Sequence, residues 1–247
     1  MTHAVSYLKN PELITDGTIV IEDPAGLPPY CNVIQRTILT SGKGIIFPMW
    51  LTGGGQVYKK YFLEAIGDKK YTNAYEWCAG HGEIGFELIT NGICKTLAFS
   101  DAYDKSAEWC LRNAQDLGLA DAISAYTTPR ISNIPATVKW DLVVGNPPNS
   151  LGVDYTEVKK HRLRNLSEDH LRLHLRTTMD CGFVAHREFF ENIKNFITDD
   201  ADIFLTVNNR QQADLEKFSI PCGFEIVKKF DMFPDELNLK IFQFKQV

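Results

Sequence analysis

Two β-like runs late in the sequence, residues 224–230 and 239–244, are separated by only the eight residues 231–238. A connection that returns a strand parallel to its neighbour needs about a dozen residues or more, so these two strands must run antiparallel. The pattern ahead of them differs. From residue 71 onward, short apolar runs alternate with segments of helical period, the signature of a parallel sheet with crossover helices. A chain of 247 residues that is 44% hydrophobic can bury such a sheet on both faces. The expected class is therefore α/β, with a mostly parallel sheet that ends in an antiparallel hairpin.

Strands are expected at 74–78, 96–100, 122–125, 140–144 and 202–207, and helices at 56–66, 105–117, 183–197 and 211–218. In the second of these helices Ala107, Cys110, Leu111, Ala114 and Leu117 share one face, Gly118 supplies a stop and Asp104 is the candidate N-cap. Residues 1–40 have no helical period and read as an arm, with β-like runs at 18–21 and 33–39. Gly42, Gly44, Gly53, Gly54 and Gly55 enclose Ile45-Ile-Phe-Pro-Met-Trp50, which reads either as a lid or as a loop into the next helix. The organisation is then an arm and candidate lid over 1–55 and one domain over 56–247, with 151–180 inserted near the substrate side.

A net charge of −5 gives no global attraction to nucleic acid or to an anionic membrane. No apolar run approaches the roughly eighteen residues of a membrane span, and the first residues lack a secretion signal, so a cytoplasmic protein without membrane partners is expected. The six cysteines are never closer than sixteen residues, which excludes a Cys-x-x-Cys unit. His170 and His174 are spaced for one helical face but have no third ligand paired with them, and no metal is expected.

Tyr75-Glu-Trp-Cys-Ala-Gly-His-Gly-Glu-Ile-Gly-Phe86 reads as a buried strand that breaks into a glycine turn and opens a helix. Gly80 and Gly82 let the main chain approach a ligand, and the helix start offers amide N–H groups to an anion. Gly80, Gly82 and Gly85 also satisfy the dinucleotide spacing, so the loop alone leaves a nicotinamide cofactor open. Glu76 at the strand end, together with Asn146-Pro147-Pro148-Asn149 after a later strand, points instead to S-adenosylmethionine. Asp101 closes the second strand twenty-five residues after Glu76, where a carboxylate suits two ribose hydroxyls. His81, between the glycines, is expected to point outward and carries no catalytic role.

The second anchor has its own chemistry. An amide or exocyclic amino nitrogen is a poor nucleophile because its lone pair is delocalised. Asn146 offers a side-chain oxygen and Pro147 a main-chain carbonyl, so two acceptors can hold both N–H bonds while the lone pair turns toward a methyl donor. Positioning and electrostatics then carry the transfer without an obligatory strong base.

With these motifs the chain resembles the HemK-type protein glutamine N5-methyltransferases, within the wider group that methylates planar nitrogens and includes N6-adenine methyltransferases. The resemblance covers about residues 41–245 and includes Asn113-Ala-Gln-Asp-Leu-Gly-Leu119, Asp180-Cys-Gly-Phe183 with His186-Arg187, Gln211 or Gln212, and Gly223-Phe224. It implies a Rossmann-like seven-stranded sheet and S-adenosyl-L-methionine as cofactor, held by Glu76, Cys78, Gly80, Gly82, Asp101 and Asn146. It further implies Asn146 and Pro147 as catalytic, Pro148, Asn149, Trp50 and Tyr155 on the substrate side, and a protein glutamine side chain as acceptor.

Departures are specific. Cys78 stands at the first glycine of the family's loop, and Asn149 replaces an aromatic that stacks on the target, a role left to Trp50 or Tyr155. The family's N-terminal helical bundle is absent, and Pro48-Met-Trp50 replaces its proline-rich acidic motif. Residues 158–176 hold six Lys or Arg against two acids, which suits RNA, DNA or an acidic protein as partner. A nucleic-acid adenine or guanine amino methyltransferase and a non-catalytic cofactor-binding subunit therefore remain alternatives.

Overall fold

The computed structural model describes residues 20–22, 34–38, 44–48, 55–148, 180, 183–232 and 239–247. Three short strands, β1 (Val20–Glu22), β2 (Ile34–Ile38) and β3 (Gly44–Pro48), pair as an antiparallel meander. The middle of the segment read as lid or loop is thus a strand, because Ile45-Ile46-Phe47 has β-propensity that outweighs the glycines around it. β3 runs beside α3 (Asp104–Leu117).

The main body begins with α1 (Gly55–Ile66), β4 (Asn73–Trp77), α2 (Glu83–Thr90) and β5 (Thr96–Asp101), which leads into α3. β6 (Ile123–Thr127), β7 (Trp140–Gly145), α4 (Val184–Asn192) and β8 (Ile197–Asn208) follow, then α5 (Gln212–Ser219), β9 (Phe224–Asp231) and β10 (Leu239–Gln246). Strands β4 to β10 make one seven-stranded sheet in the order β6-β5-β4-β7-β8-β10-β9. Pairing is parallel from β6 to β8, and β10 lies antiparallel to both β8 and β9. The hairpin expected from the short spacing is present, with its second strand inserted between β8 and its first.

Two local expectations change. The helix expected over 183–197 stops at Asn192, a 3₁₀ turn spans Ile193–Asn195, and Ile197 already opens β8. Pairing of β7 with this longer strand is irregular between Trp140 and Leu142, which accommodates the polar Asp199 and Asp200 on its exposed stretch. On α3 the buried face is Ser106, Cys110, Asn113, Ala114 and Leu117, whereas Leu111 is 42% exposed. Tyr103 is the N-cap and Asp104 the first helical residue, while Gly118 ends the helix at φ 71° as expected.

Apolar packing lies on both faces of the sheet. Phe62 and Ile66 of α1, Phe86 and Leu88 of α2, and Cys110 and Ala114 of α3 pack with Leu97, Phe99, Leu142 and Val144 on one face. Phe189 and Phe190 of α4 and Leu215 of α5 pack with Tyr75, Trp77, Val143 and Leu205 on the other. Tyr75 stacks on Trp140 at 4.0 Å between ring centres, and Trp77 stacks on Phe189 at 4.3 Å. Among the described residues, no helix is long and apolar enough to cross a membrane.

Candidate active site

β4 is buried along nearly its whole length and ends in a turn that the side chains around it leave little freedom to change. Gly80 and Gly82 hold φ of 56° and 81°, the left-handed region. A Cβ on Gly82 would lie 2.6 Å from the Phe99 ring, and one on Gly85 would lie 2.7 Å from Glu76 Oε2. The departure from the family pattern has a geometric counterpart: Cys78 takes φ 56°, a glycine-like angle held by a residue with a side chain.

Two carboxylates tie this turn down. Glu76, 2% exposed, accepts the Gly85 amide at 2.6 Å, so it orients the first turn of α2. Asp101 at the end of β5 accepts the Gly80 amide at 2.8 Å with one oxygen and the Tyr103 amide at 2.8 Å with the other. Among the described residues neither has a lysine or arginine partner. Burial therefore pushes the Glu76 carboxyl well above the usual range, the Gly85 amide opposing it and the Glu83 charge adding to it. Burial raises Asp101 as well, against the pull of the Tyr103 and Gly80 amides. Cys78 remains a thiol, raised first by burial and then by the charges of Asp101, Asp180 and Glu76. His81 is buried, contrary to the outward placement expected of it.

β7 brings the second anchor to the same rim. Trp77 pairs with Gly145, so residues 78–82 and 146–148 leave adjacent strands side by side. A Cβ on Gly145 would meet the Trp77 carbonyl oxygen at 2.8 Å, so this close approach requires glycine. Pro147 is buried and Pro148 half-buried. Asn146 Oδ1 accepts a hydrogen bond at 2.5 Å from the hydroxyl of Thr206 on β8. Sequence reasoning passed over Thr206, since one threonine in an apolar strand reads as an ordinary β-former.

A third group, noted in the sequence only as part of the resemblance, flanks the rim. Asp180 accepts the amides of Ala185 and His186 at 2.9 and 3.0 Å and bonds His186 Nδ1 at 2.6 Å. Burial would raise the Asp180 carboxyl, but the His186 bond and the two amides outweigh it and leave it below the ordinary range. The His186 ring meets Trp77 edge-on at 5.4 Å, which fixes the start of α4 beside the end of β4. Glu188 of α4 then accepts the Ile131 and Ser132 amides, anchoring the segment after β6.

The structure thus brings Glu76, Cys78, Gly80, Gly82, Asp101, Asn146, Pro147 and Pro148 to one end of the sheet. Asn149, Trp50, Tyr155, the basic segment 158–176 and the histidines at 170 and 174 lie outside the described residues.

No protein-family model matches this sequence, and no curated protein matches it. Solved structures do match by fold. Ribosomal protein L11 methylase from Lactobacillus delbrueckii subsp. bulgaricus aligns with a TM-score of 0.51 at 15% identity, over 77% of this chain and 77% of that one. The B. subtilis M1A22 tRNA methyltransferase TrmK aligns at 0.51 and 10% identity, over 78% and 65%. The glycopeptide N-methyltransferase MtfA, solved with (S)-adenosyl-L-methionine, aligns at 0.53 and 8% identity, over 78% and 94%. The fold is that of the Rossmann-like, S-adenosylmethionine-dependent methyltransferases, with its C-terminal antiparallel hairpin.

Proposed function

We propose that this protein is an S-adenosylmethionine-dependent N-methyltransferase whose acceptor is a planar nitrogen, with a protein glutamine amide as the leading substrate. The observation that carries the reading is Asn146-Pro147 at the end of β7, beside the glycine turn that follows β4. The rim fits a cationic cofactor. Gly80 and Gly82 turn the main chain at the rim in the left-handed region, and buried Glu76 and partly buried Asp101 have amide but no cationic partners among the described residues.

When bound, that cofactor supplies an electrophilic methyl group on a positively charged sulfur. The residues of this chain do the rest. Asp101 retains lone pairs beyond its two amide bonds for the ribose hydroxyls, and Glu76 holds the turn and faces the positive end. Asn146 Oδ1 would accept one N–H of the acceptor and the Pro147 carbonyl the other. Held in this way the nitrogen would keep its lone pair free of both N–H contacts; as its N–C bond formed the donor's S–C bond would break, leaving a neutral thioether, and the extra proton would pass to solvent.

The test is incubation with methyl-labelled S-adenosylmethionine and cell lysate, split into protease-treated and nuclease-treated halves. Label lost only to protease supports the glutamine reading. Label lost only to nuclease assigns the acceptor to a base amino group, the reading favoured by the basic residues of 158–176. Cofactor binding without label in either half would sink both and favour a non-catalytic subunit.

A further inference from the structure

Thr206 occupies a position that packing alone would give to valine. It lies on β8 between Leu205 and Val207, is fully buried, and by strand alternation faces the side of the sheet opposite those two neighbours. A buried hydroxyl costs stability unless it is hydrogen-bonded. Its partner is the side chain on which the proposed chemistry turns: Oγ1 lies 2.5 Å from Asn146 Oδ1, and since a carboxamide oxygen only accepts, the hydroxyl donates. Two registers set the geometry. Gly145 pairs with Leu205 in parallel, and Thr206 pairs with Ile241 in antiparallel, so β8 is gripped from both sides at this level. Threonine's branched Cβ adds a restricted χ1, so the donor comes from a stiff arm on a fixed strand.

We infer that Thr206 is a positioning residue for Asn146: its hydroxyl donates to Oδ1 and so locks the carboxamide in one orientation. The inference rests on the proposed role of Asn146 in holding a planar nitrogen. It deepens that role by making the site's discrimination depend on a residue that touches neither cofactor nor acceptor. The orientation so fixed sets the carboxamide beside the Pro147 carbonyl, the pair proposed to hold an acceptor N–H. An unlocked carboxamide can turn its NH₂ toward the acceptor and repel it.

The experiment compares wild type, Thr206→Val, Thr206→Ser and Asn146→Ala. Turnover is read as transfer of labelled methyl to a fixed lysate fraction, cofactor affinity by calorimetry with S-adenosylmethionine, and the Asn146 side-chain NH₂ by NMR, assigned through its loss in Asn146→Ala. Thr206→Val should lower apparent kcat about tenfold, the worth of one well-placed hydrogen bond, with cofactor affinity unchanged. Its Asn146 NH₂ signals should broaden. Thr206→Ser should restore both readouts to within about threefold, since the donor is back on a less restricted arm. Wild-type kcat and sharp signals in Thr206→Val, beside an inactive Asn146→Ala, would overturn the inference and spare the proposed function. Full activity in Asn146→Ala would remove the proposed function itself. Should Thr206→Val fail to bind cofactor, Thr206→Cys, nearly equal in volume and a weak donor, carries the same comparison.

Discussion

The two ends of the parallel strands treat a buried carboxylate in opposite ways. At the amino end, Asp202 on β8 is 2% exposed and receives Lys69, Tyr71 at 2.8 Å, Gln243 at 2.8 Å and Lys245 at 2.9 Å. Burial alone would raise its carboxyl, yet the bonds from Lys69, Lys245, Tyr71 and Gln243 together bring it down to about 2. At the carboxyl end, Glu76 and Asp101 have amide but no cationic partners among the described residues, and both are pushed up. The first arrangement is complete in itself and pins β8 and β10 to the segment before β4. The second leaves carboxyl groups that hold their protons more tightly and that an incoming cation would ionise. One sheet thus carries a closed ionic lock at one end and, at the other, carboxyls with no cationic partner among the described residues.

Mutations separate the two ends in the order of their expected effects. Asn146→Ala should reduce methyl transfer about a hundredfold or more, as loss of a transition-state acceptor does, while cofactor affinity measured by calorimetry stays within a few-fold. Asp202→Ala should do the reverse, lowering unfolding stability in urea by about 2 kcal/mol because Tyr71 and Gln243 lose a buried acceptor and two partly exposed lysines their counter-charge, with cofactor affinity unchanged. Equal damage to stability from both variants would abolish the distinction.

Acid probes the contrast directly. The folded Asp202 value lies below the ordinary one, so its contribution is fully present above about pH 4 and is lost as pH falls toward 2. Acid unfolding should therefore be steeper in wild type than in Asp202→Asn across that window, by about 2 kcal/mol. Glu76 and Asp101 have the opposite sign. Their folded values are raised, so a cation brought to the rim should expel protons, and calorimetry in buffers of different ionisation enthalpy should record net proton release on S-adenosylmethionine binding. No release, or uptake, would contradict that ionisation, and Glu76→Gln should diminish the release. The smallest effect belongs to Cys78→Gly. Relief of its positive φ is offset by added chain entropy, and the melting curve should report a change of less than about 1 kcal/mol.

Much of this was legible in the residues. The eight-residue spacing of 231–238 fixed an antiparallel pair, the break at Tyr75-to-Phe86 marked the glycine turn, and Asp101 and Asn146 fell at strand ends where side chains reach the rim. What escaped depended on partners distant in the sequence. Leu111 has the right period for the inner face of α3, but the sheet meets that helix along Cys110, Asn113 and Ala114. The strand is expected to begin only at 202, yet β8 starts at Ile197 and passes through Asp199-Asp200 because β7 pairs with it on either side, at Ile197 and at Asp202. His81, between two glycines, is expected to point outward and is buried. Thr206 acquires meaning only once Asn146, sixty positions earlier, is set against it.

The insertion of β10 between β8 and β9 bears on how the site is born. During synthesis, β8 has one open edge until residues Leu239–Gln246 have left the ribosome, because the strand made before them, β9, does not pair with it. Thr206 cannot be gripped through Ile241 before then, so the orientation of Asn146 is among the last features of the sheet to be set. A stalled nascent chain would display the glycine turn and its carboxylates long before it could hold an acceptor correctly. On the proposed function, competence for binding and competence for transfer would be acquired at different times by the same polypeptide.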